Sequence, residues 1–230
     1  EKFAADVAHE LKNPLAAARG TADVLTYAKT DAERQELVEQ LQGELKRLNR
    51  LITDVSNASR LDAELARQQT APVDVKATLA NVVDVFKDML EGDTRAIMLD
   101  VAGFGDARTY VANAHEGRLG QVVTNLIDNA LSFSPAGGKV AVRLRRVERE
   151  IELAVEDEGL GIPPDKLEAI FERFYSDRPQ SDQTSGKNSG LGLSISREIV
   201  TAMGGRIRAE NRRPDGGARF IVRLPAVYMS

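Results

Sequence analysis

The sequence predicts a multi-domain chain of two parts. An N-terminal antiparallel helical hairpin joins a second copy to form a dimeric four-helix bundle, and an α+β two-layer sandwich follows. Three observations predict it. The first sixty residues hold one proline and two glycines, and their apolar residues recur at three- and four-residue steps, the helical period. At Arg67-Gln68-Gln69-Thr70-Ala71-Pro72 the chain turns polar and ends in a helix-breaking proline. Beyond it, strand and helix patterns follow one another without strict alternation, which favours helices on one face of a mixed sheet. The expected boundaries are 1–66 for the hairpin, 67–72 for a linker and 73–230 for the second domain.

In the hairpin, Ala4, Ala8, Leu11, Leu15, Ala18, Ala22 and Leu25 form one apolar stripe. Leu37, Leu41, Leu45, Leu48, Ile52 and Val55 form another. Between them Thr30 or Asp31 can cap the second helix, whose first turn is acidic. Two helices alone cannot bury both stripes, so pairing with a second copy is the simplest solution; packing against the rest of the same chain is the alternative. In the second part, 73–75, 97–101 and 110–112 read as short strands, and 77–90 and 116–131 as helices. Lys139–Val147 and Ile151–Asp157 alternate apolar and polar residues, as half-buried antiparallel strands do. Helix signals return at 165–171 and 191–203, and strands at 206–209 and 218–224. Residues 176–189 are polar and aperiodic, a loop of the length that often acts as a lid.

Composition narrows the chemistry. With 42% apolar and 29% charged residues the chain can build a core, which excludes a disordered class. A net charge of −4 argues against a dedicated nucleic-acid binder, which should carry a basic excess. No run approaches the roughly 18 to 20 apolar residues of a membrane span, and the first residues are no signal peptide, as expected of a soluble chain or a cytosolic piece of a larger one. The absence of cysteine removes disulfides, thiolate catalysis and Cys-based zinc sites. Only two histidines remain, His9 and His115.

His9-Glu10-Leu11-Lys12-Asn13-Pro14 lies within the first helix, with His9 at the edge of the apolar stripe or just outside it. Near pH 7 an exposed imidazole is largely neutral and has one ring nitrogen free to attack; Glu10 can take the proton of the other. Asn13, one turn on, can hold a water beside the same ring, which suits removal of a group attached to His9. Pro14 cannot donate to the Glu10 carbonyl and loosens the helix there. Taken alone, a helical His-Glu pair is more often a solvated surface feature.

Asn125 and Asn129 are separated by one turn of a helix whose Val122, Val123, Leu126 and Ile127 supply the buried face. Two amides beside acidic residues suit a hydrated Mg²⁺ shared with phosphates. Asp157-Glu158-Gly159-Leu160-Gly161 follows a predicted strand, and Ser189-Gly190-Leu191-Gly192 opens a predicted helix. Glycines at such turns allow close backbone approach, and helix-start N–H groups favour phosphate oxygens. There is no Walker P-loop and no three-glycine dinucleotide fingerprint. One Gly-x-Gly is weak evidence; two of them with a paired-Asn helix and a polar loop together read as a nucleotide site.

In order and spacing these segments resemble the catalytic core of a bacterial two-component sensor histidine kinase. Residues 9–15 resemble the family's H box, Asn125–Ala130 its N box and Asp157–Gly161 its G1 box. Phe171-Glu172-Arg173-Phe174-Tyr175 resembles the F box and Ser189–Leu193 the G2 box. More narrowly, residues 58–67, 174–179 and 188–196 look like the ChvG subfamily of α-proteobacteria. The resemblance implies that the second domain is an ATP-binding sandwich of the kind shared with Hsp90, gyrase and MutL (GHKL or Bergerat fold). It implies that Asp157 accepts from the adenine amino group, that Asn129 ligates Mg²⁺ with Asn125 assisting, and that Gly159, Gly161, Gly190, Leu191 and Gly192 shape the phosphate pocket under a 176–189 lid. His9 would take the γ-phosphoryl group of ATP and pass it to an aspartate of a response regulator, ChvI-like and OmpR-type, with Glu10 and Asn13 supporting phosphatase activity toward it. No direct nucleic-acid contact is expected, and the membrane would be reached only through a part N-terminal to Glu1, as in the cytoplasmic portion of an inner-membrane protein.

Two positions depart from the pattern. Ser132 stands where many relatives carry a basic residue, and His115 where an aspartate is frequent. Lys187, Arg173 and Arg178 are candidates for the missing phosphate-neutralising charge. Hydrolysing members of the superfamily place a glutamate at the first N-box position; Asn125 is a poor base, which fits transfer to a dedicated nucleophile rather than to water. The alternatives are an ATP-hydrolysing conformational machine and a non-catalytic dimerising scaffold with a structural nucleotide site.

Overall fold

The computed structural model describes residues 2–67, 70–103, 107–175, 190–212 and 216–227. They fall into two compact units, Glu1–Leu61 with Arg173–Leu191, and Asp62–Glu172 with Gly192–Ser230.

The first unit is helical. Helix α1 runs over Lys2–Leu25 and continues through Pro14. Helix α2, Asp31–Arg67, extends past the division between the units. Its start is a capping box. Thr30 Oγ1 accepts from the Glu33 N–H at 3.1 Å, while Glu33 Oε2 accepts from the N–H groups of Lys29 at 2.8 Å and Thr30 at 3.2 Å. Of the two predicted stripes, Ala18 is buried, whereas Leu15, Leu45 and Ile52 stay half exposed or more in the single chain. Among the described side chains of α2, the fully buried position is Leu51, the neighbour of the predicted Ile52. The inner line of α2 runs through Leu37, Leu41, Glu44, Leu48, Leu51 and Val55 in alternating steps of four and three residues, so Leu45 and Ile52 fall outside it.

The second unit is a two-layer sandwich. A short ribbon pairs β1 (Ala71–Asp74) with β3 (Val111–Ala114) antiparallel. The main sheet has five strands in the order β2-β4-β5-β7-β6. These are β2 (Ala96–Val101), β4 (Lys139–Val147), β5 (Glu150–Glu156), β6 (Arg206–Asn211) and β7 (Ala218–Pro225). Only β2 and β4 pair in parallel, with helix α4 (Glu116–Phe133) in the connection between them; the other pairs are antiparallel. Helices α3 (Val75–Met89) and α5 (Gly192–Ala202) complete the layer.

Alternation along the strands builds the core. Val140, Val142, Leu144, Ile151, Leu153, Val155, Phe220, Val222 and Leu224 are buried, as are Leu119, Val122, Val123, Leu126 and Ile127 of α4. Full burial of each such aliphatic side chain stabilises by about 1.5–3 kcal/mol. The intervening strand residues form an arginine–glutamate lattice. Glu152, 1% exposed, receives Arg145 Nε at 2.7 Å and Arg223 Nε at 2.8 Å. Burial would raise its carboxyl, and these two arginines carry it below the usual carboxylate range instead. Glu156 takes Arg143 Nε at 3.1 Å, and Arg206 grips Glu150 through two bonds at 2.5 and 2.7 Å.

The helix expected at 165–171 is instead two 3-10 turns, Pro164–Lys166 and Ala169–Phe171. Seven residues give an α-helix little beyond its costly first turn. The segment also opens on Pro163-Pro164, and shortly after it Phe174 adopts φ +62°. No helix among the described residues is long and apolar enough to cross a membrane.

Candidate functional site

In the first unit, His9 and Asn13 are exposed one turn apart on α1 and Glu10 is half-buried, so the imidazole meets solvent as the stripe position implied. Pro14 beside them is buried.

The second unit gathers Asn125, Asn129, Asp157, Gly159, Gly161 and Gly192 around α4, the C-terminal end of β5 and the start of α5, while Gly190 and Leu191 fall in the first unit. Asp157 follows β5 directly and is 2% exposed. Its Oδ1 accepts from the N–H of Gly159 at 2.9 Å and of Ala218 at 3.0 Å. Burial pushes the Asp157 carboxyl up; those two N–H groups and the Arg212 guanidinium offset part of the rise.

The glycines are not equivalent. A Cβ on Gly159 would lie 2.6 Å from the Phe133 carbonyl oxygen, and Gly161 holds φ +80° with a would-be Cβ 2.8 Å from Asn211 Oδ1. Gly190 holds φ +73°, and a Cβ there would lie 2.9 Å from the Phe174 backbone. A Cβ on Gly192 would meet Asn125 only at an ordinary 3.6 Å, so packing within the chain does not demand glycine there. Leu191 is fully buried.

Asn125 and Asn129 share a face of α4, which is half-buried rather than exposed as the sequence implied. Asn125 Nδ2 donates to the Gly192 carbonyl at 3.1 Å and approaches Ser196 Oγ at 3.3 Å; Ser196 Oγ donates to the same carbonyl at 2.8 Å. Asn125 thus tethers the first turn of α5 to α4. The Ser132 hydroxyl donates back to the Asn129 carbonyl at 2.8 Å, an intrahelical bond that brings no charge. No cluster of three or more His, Cys, Asp or Glu suited to a metal ion occurs among the described residues. A single amide oxygen is a hard donor, and Mg²⁺ is commonly held by one or two protein oxygens with phosphates and water, so Asn129 fits that ion.

Of the F-box residues, Phe171 is buried, meets Phe220 edge-on at 6.3 Å between centroids, and carries the Arg197 guanidinium 4.1 Å above its ring. Lys187, Arg178 and the 176–189 loop lie outside the described residues. His115 precedes α4 without making a side-chain cap bond, and lines a cleft of about 600 Å³ with Pro72, Arg118 and Gln121. None of the predicted site residues lines that cleft.

Two residues escaped the sequence reading. Asn211, at the end of β6, donates from Nδ2 to the Ile162 carbonyl and accepts from the Ile162 N–H at Oδ1, both at 2.7 Å. Arg212 donates from Nη1 to the Asp157 carbonyl at 2.7 Å. The only local signal is an Asn-Arg pair ahead of a Pro-Asp-Gly-Gly turn, which reads as turn punctuation.

Comparison with known proteins assigns both units. Residues 1–64 match the His Kinase A (phospho-acceptor) domain, and residues 114–227 match the histidine kinase-, DNA gyrase B- and HSP90-like ATPase domain. Sensor protein ChvG of Agrobacterium fabrum is 46% identical over 98% of the chain, and that of Rhizobium meliloti 45% over 98%. The chain spans about two-fifths of the length of these relatives, 39% and 40%. The crystal structure of full-length ShkA in complex with AMPPNP covers all of the chain with 47% of its own, at 28% identity and a TM-score of 0.65. The chain belongs to the sensor histidine kinases, whose cores join these two domains.

Proposed function

We propose that the chain autophosphorylates His9 from Mg-ATP and transfers the phosphoryl group to an aspartate of a response regulator, with phosphatase activity toward that partner. One observation carries the reading. The chain exposes His9 on the helix of a phospho-acceptor domain and also holds a buried carboxyl, Asp157, in a glycine turn of an ATPase-like domain. The proposed boundaries are 1–66, 67–72 and 73–230, although Arg67 still belongs to α2 and Ala71 and Pro72 already belong to β1.

Asp157 accepts from the adenine amino group, and the turns at Gly159, Gly161 and Gly190 allow the backbone to approach the nucleotide. Asn129 would hold Mg²⁺, which supplies positive charge to the phosphates. The family resemblance adds Leu191 and Gly192 to the nucleotide-binding residues, Lys187 as a candidate for further charge and residues 176–189 as the lid. A neutral ring nitrogen of His9 forms the N–P bond as the bond from the γ-phosphorus to the β–γ bridging oxygen breaks and ADP leaves. Glu10 receives the proton from the other ring nitrogen. Asn125 cannot serve as a base for water, because the lone pair of an amide nitrogen is delocalised into its carbonyl; the side chain instead donates to the start of α5. That favours transfer to His9 over hydrolysis.

The exposed apolar positions of the two helices support a homodimer through a four-helix bundle, which is typical of this family. Similarity to the ChvG proteins supports a ChvI-like, OmpR-type receiver as the partner and placement on the cytoplasmic side of a membrane sensor. Incubation with γ-labelled ATP and Mg²⁺ should give an acid-labile, alkali-stable label that His9→Gln abolishes. Label surviving that substitution would refute the site.

A further inference from the structure

We propose that Asn211 and Arg212, consecutive residues at the end of β6, are positioning residues that hold the two ends of the 157–161 turn and thereby set its affinity for nucleotide. The inference rests on the reading of that turn as the ATP site. The turn joins a buried carboxyl to Gly161, whose φ of +80° costs glycine little but gives the segment no rigidity of its own. The Gly159 N–H bond to Asp157 Oδ1 fixes only the first half of the turn, so the rest must be held from outside.

At the far end, the Asn211 amide makes the paired donor and acceptor bonds with Ile162 that a neighbouring strand would make, both at 2.7 Å. Its Oδ1 also lies where a Cβ on Gly161 would point, 2.8 Å away. At the near end, Arg212 Nη1 holds the Asp157 carbonyl at 2.7 Å, while the Arg212 N–H donates to the Gly217 carbonyl at 2.9 Å. One short stretch of backbone therefore fixes the spacing between the adenine-reading carboxyl and the residue after the last glycine of the turn. Neither side chain has to touch the nucleotide. Loosening either end lets the turn sample arrangements that do not bind, and apparent affinity falls with the fraction that does.

The test compares the full chain with Asn211→Ala, Asn211→Ser and Arg208→Ala. Arg208 sits on the same strand, pairs with Glu210 at 3.0 Å and is 55% exposed, so it controls for general damage to β6. Mg-ATP titration, the ATP dependence of His9 labelling and thermal unfolding are read together. Asn211→Ala should raise Kd and KM for ATP about tenfold, while labelling at saturating ATP stays within about twofold. Asn211→Ser, which keeps one hydroxyl where the amide had two groups, should give an intermediate shift and serves if the alanine variant does not fold. Arg208→Ala should leave both constants unchanged. An unchanged Kd in the Asn211 variants, or an equal shift in Arg208→Ala, overturns the inference and leaves the kinase reading standing. Failure of the unaltered chain to bind ATP overturns both.

Discussion

Asp157 and Ala218 exchange two hydrogen bonds of different kinds. The Asp157 N–H donates to the Ala218 carbonyl at 3.0 Å, and the Ala218 N–H donates to the Asp157 side chain, not to its main chain, also at 3.0 Å. The pair continues the β5–β7 ladder one step past Glu156 and Arg219, but Arg212 has taken the Asp157 carbonyl, so Oδ1 stands in for it. A carboxyl is thereby built into the end of a sheet ladder with its second oxygen outside both bonds.

This arrangement ties the stability of the second unit to pH. Burial places the folded pKa of Asp157 above the unfolded value, so the protonated form is the better tolerated one in the fold. Its contribution is fully present below the unfolded pKa of about 3.9 and is lost as pH rises through the folded pKa. The Asp157→Asn variant keeps the Oδ1 acceptor without the charge. Denaturation at a series of pH values should show the unaltered chain losing ground to that variant as pH rises above about 4. Calorimetry should show the variant binding Mg-ATP about 10- to 100-fold more weakly, as expected for a lost hydrogen bond to a charged acceptor. A stability difference that does not change with pH would show that the carboxyl is not strained by burial.

Asn125 and Ser196 converge on the Gly192 carbonyl. Asn125→Ala should cost about 1 kcal/mol, since Ser196 still satisfies that oxygen. The double variant with Ser196→Ala should cost more than the two single changes added together, because it leaves the carbonyl without either donor. Urea unfolding of the four chains completes the cycle; strict additivity would mean that the two donors act independently.

Asn13→Ala should slow dephosphorylation of the partner regulator more than it slows labelling of His9. The two side chains lie one turn apart on α1, both exposed. Timed loss of phosphate from the regulator, set against the rate of His9 labelling, separates the effects. An equal fall in both would remove the water-holding role from Asn13.

Leu45 and Ile52 are each 50% exposed in the single chain. A carboxylate there harms little in an isolated helix pair but costs several kcal/mol once a second copy covers it. Leu45→Glu and Ile52→Glu should therefore stay helical by circular dichroism and sediment at half the mass of the unaltered chain. An unchanged mass would place the dimer contact elsewhere.

Much of this was legible in residue patterns. The alternation of Lys139–Val147 marks β4 to its ends, and the glycine turns lie where the strands and helices around them implied. Local patterns report periodicity and turn chemistry well because both depend on near neighbours. They failed where distant chain decides. Leu51 replaces Ile52 as the buried residue because the inner line of α2 passes through Glu44 and Leu51, and adjacent apolar residues do not reveal which of the two faces inward. The 165–171 segment, amphipathic enough for a helix, is held as two turns between its prolines and the left-handed Phe174. Asn211 and Arg212 could not be singled out at all, since their partners at Ile162 and Asp157 are about fifty residues away and meet them only through sheet pairing. Ser132 was recognised as a departure, but that its hydroxyl turns back onto α4 depends on the geometry of the helix itself.

The lattice over the main sheet has a consequence for how the domain ages in solution. Glu152 lies beneath guanidinium groups from neighbouring strands, so the outer surface of the sheet offers wet, already matched charges where many sheets offer oil. Such a surface gives an unfolding neighbour little to adhere to. Added salt should thin the rim, where Arg206 and Arg145 are more than half exposed, well before it reaches the carboxylate underneath. Colloidal resistance and ionic-strength tolerance are then written into the same few arginines.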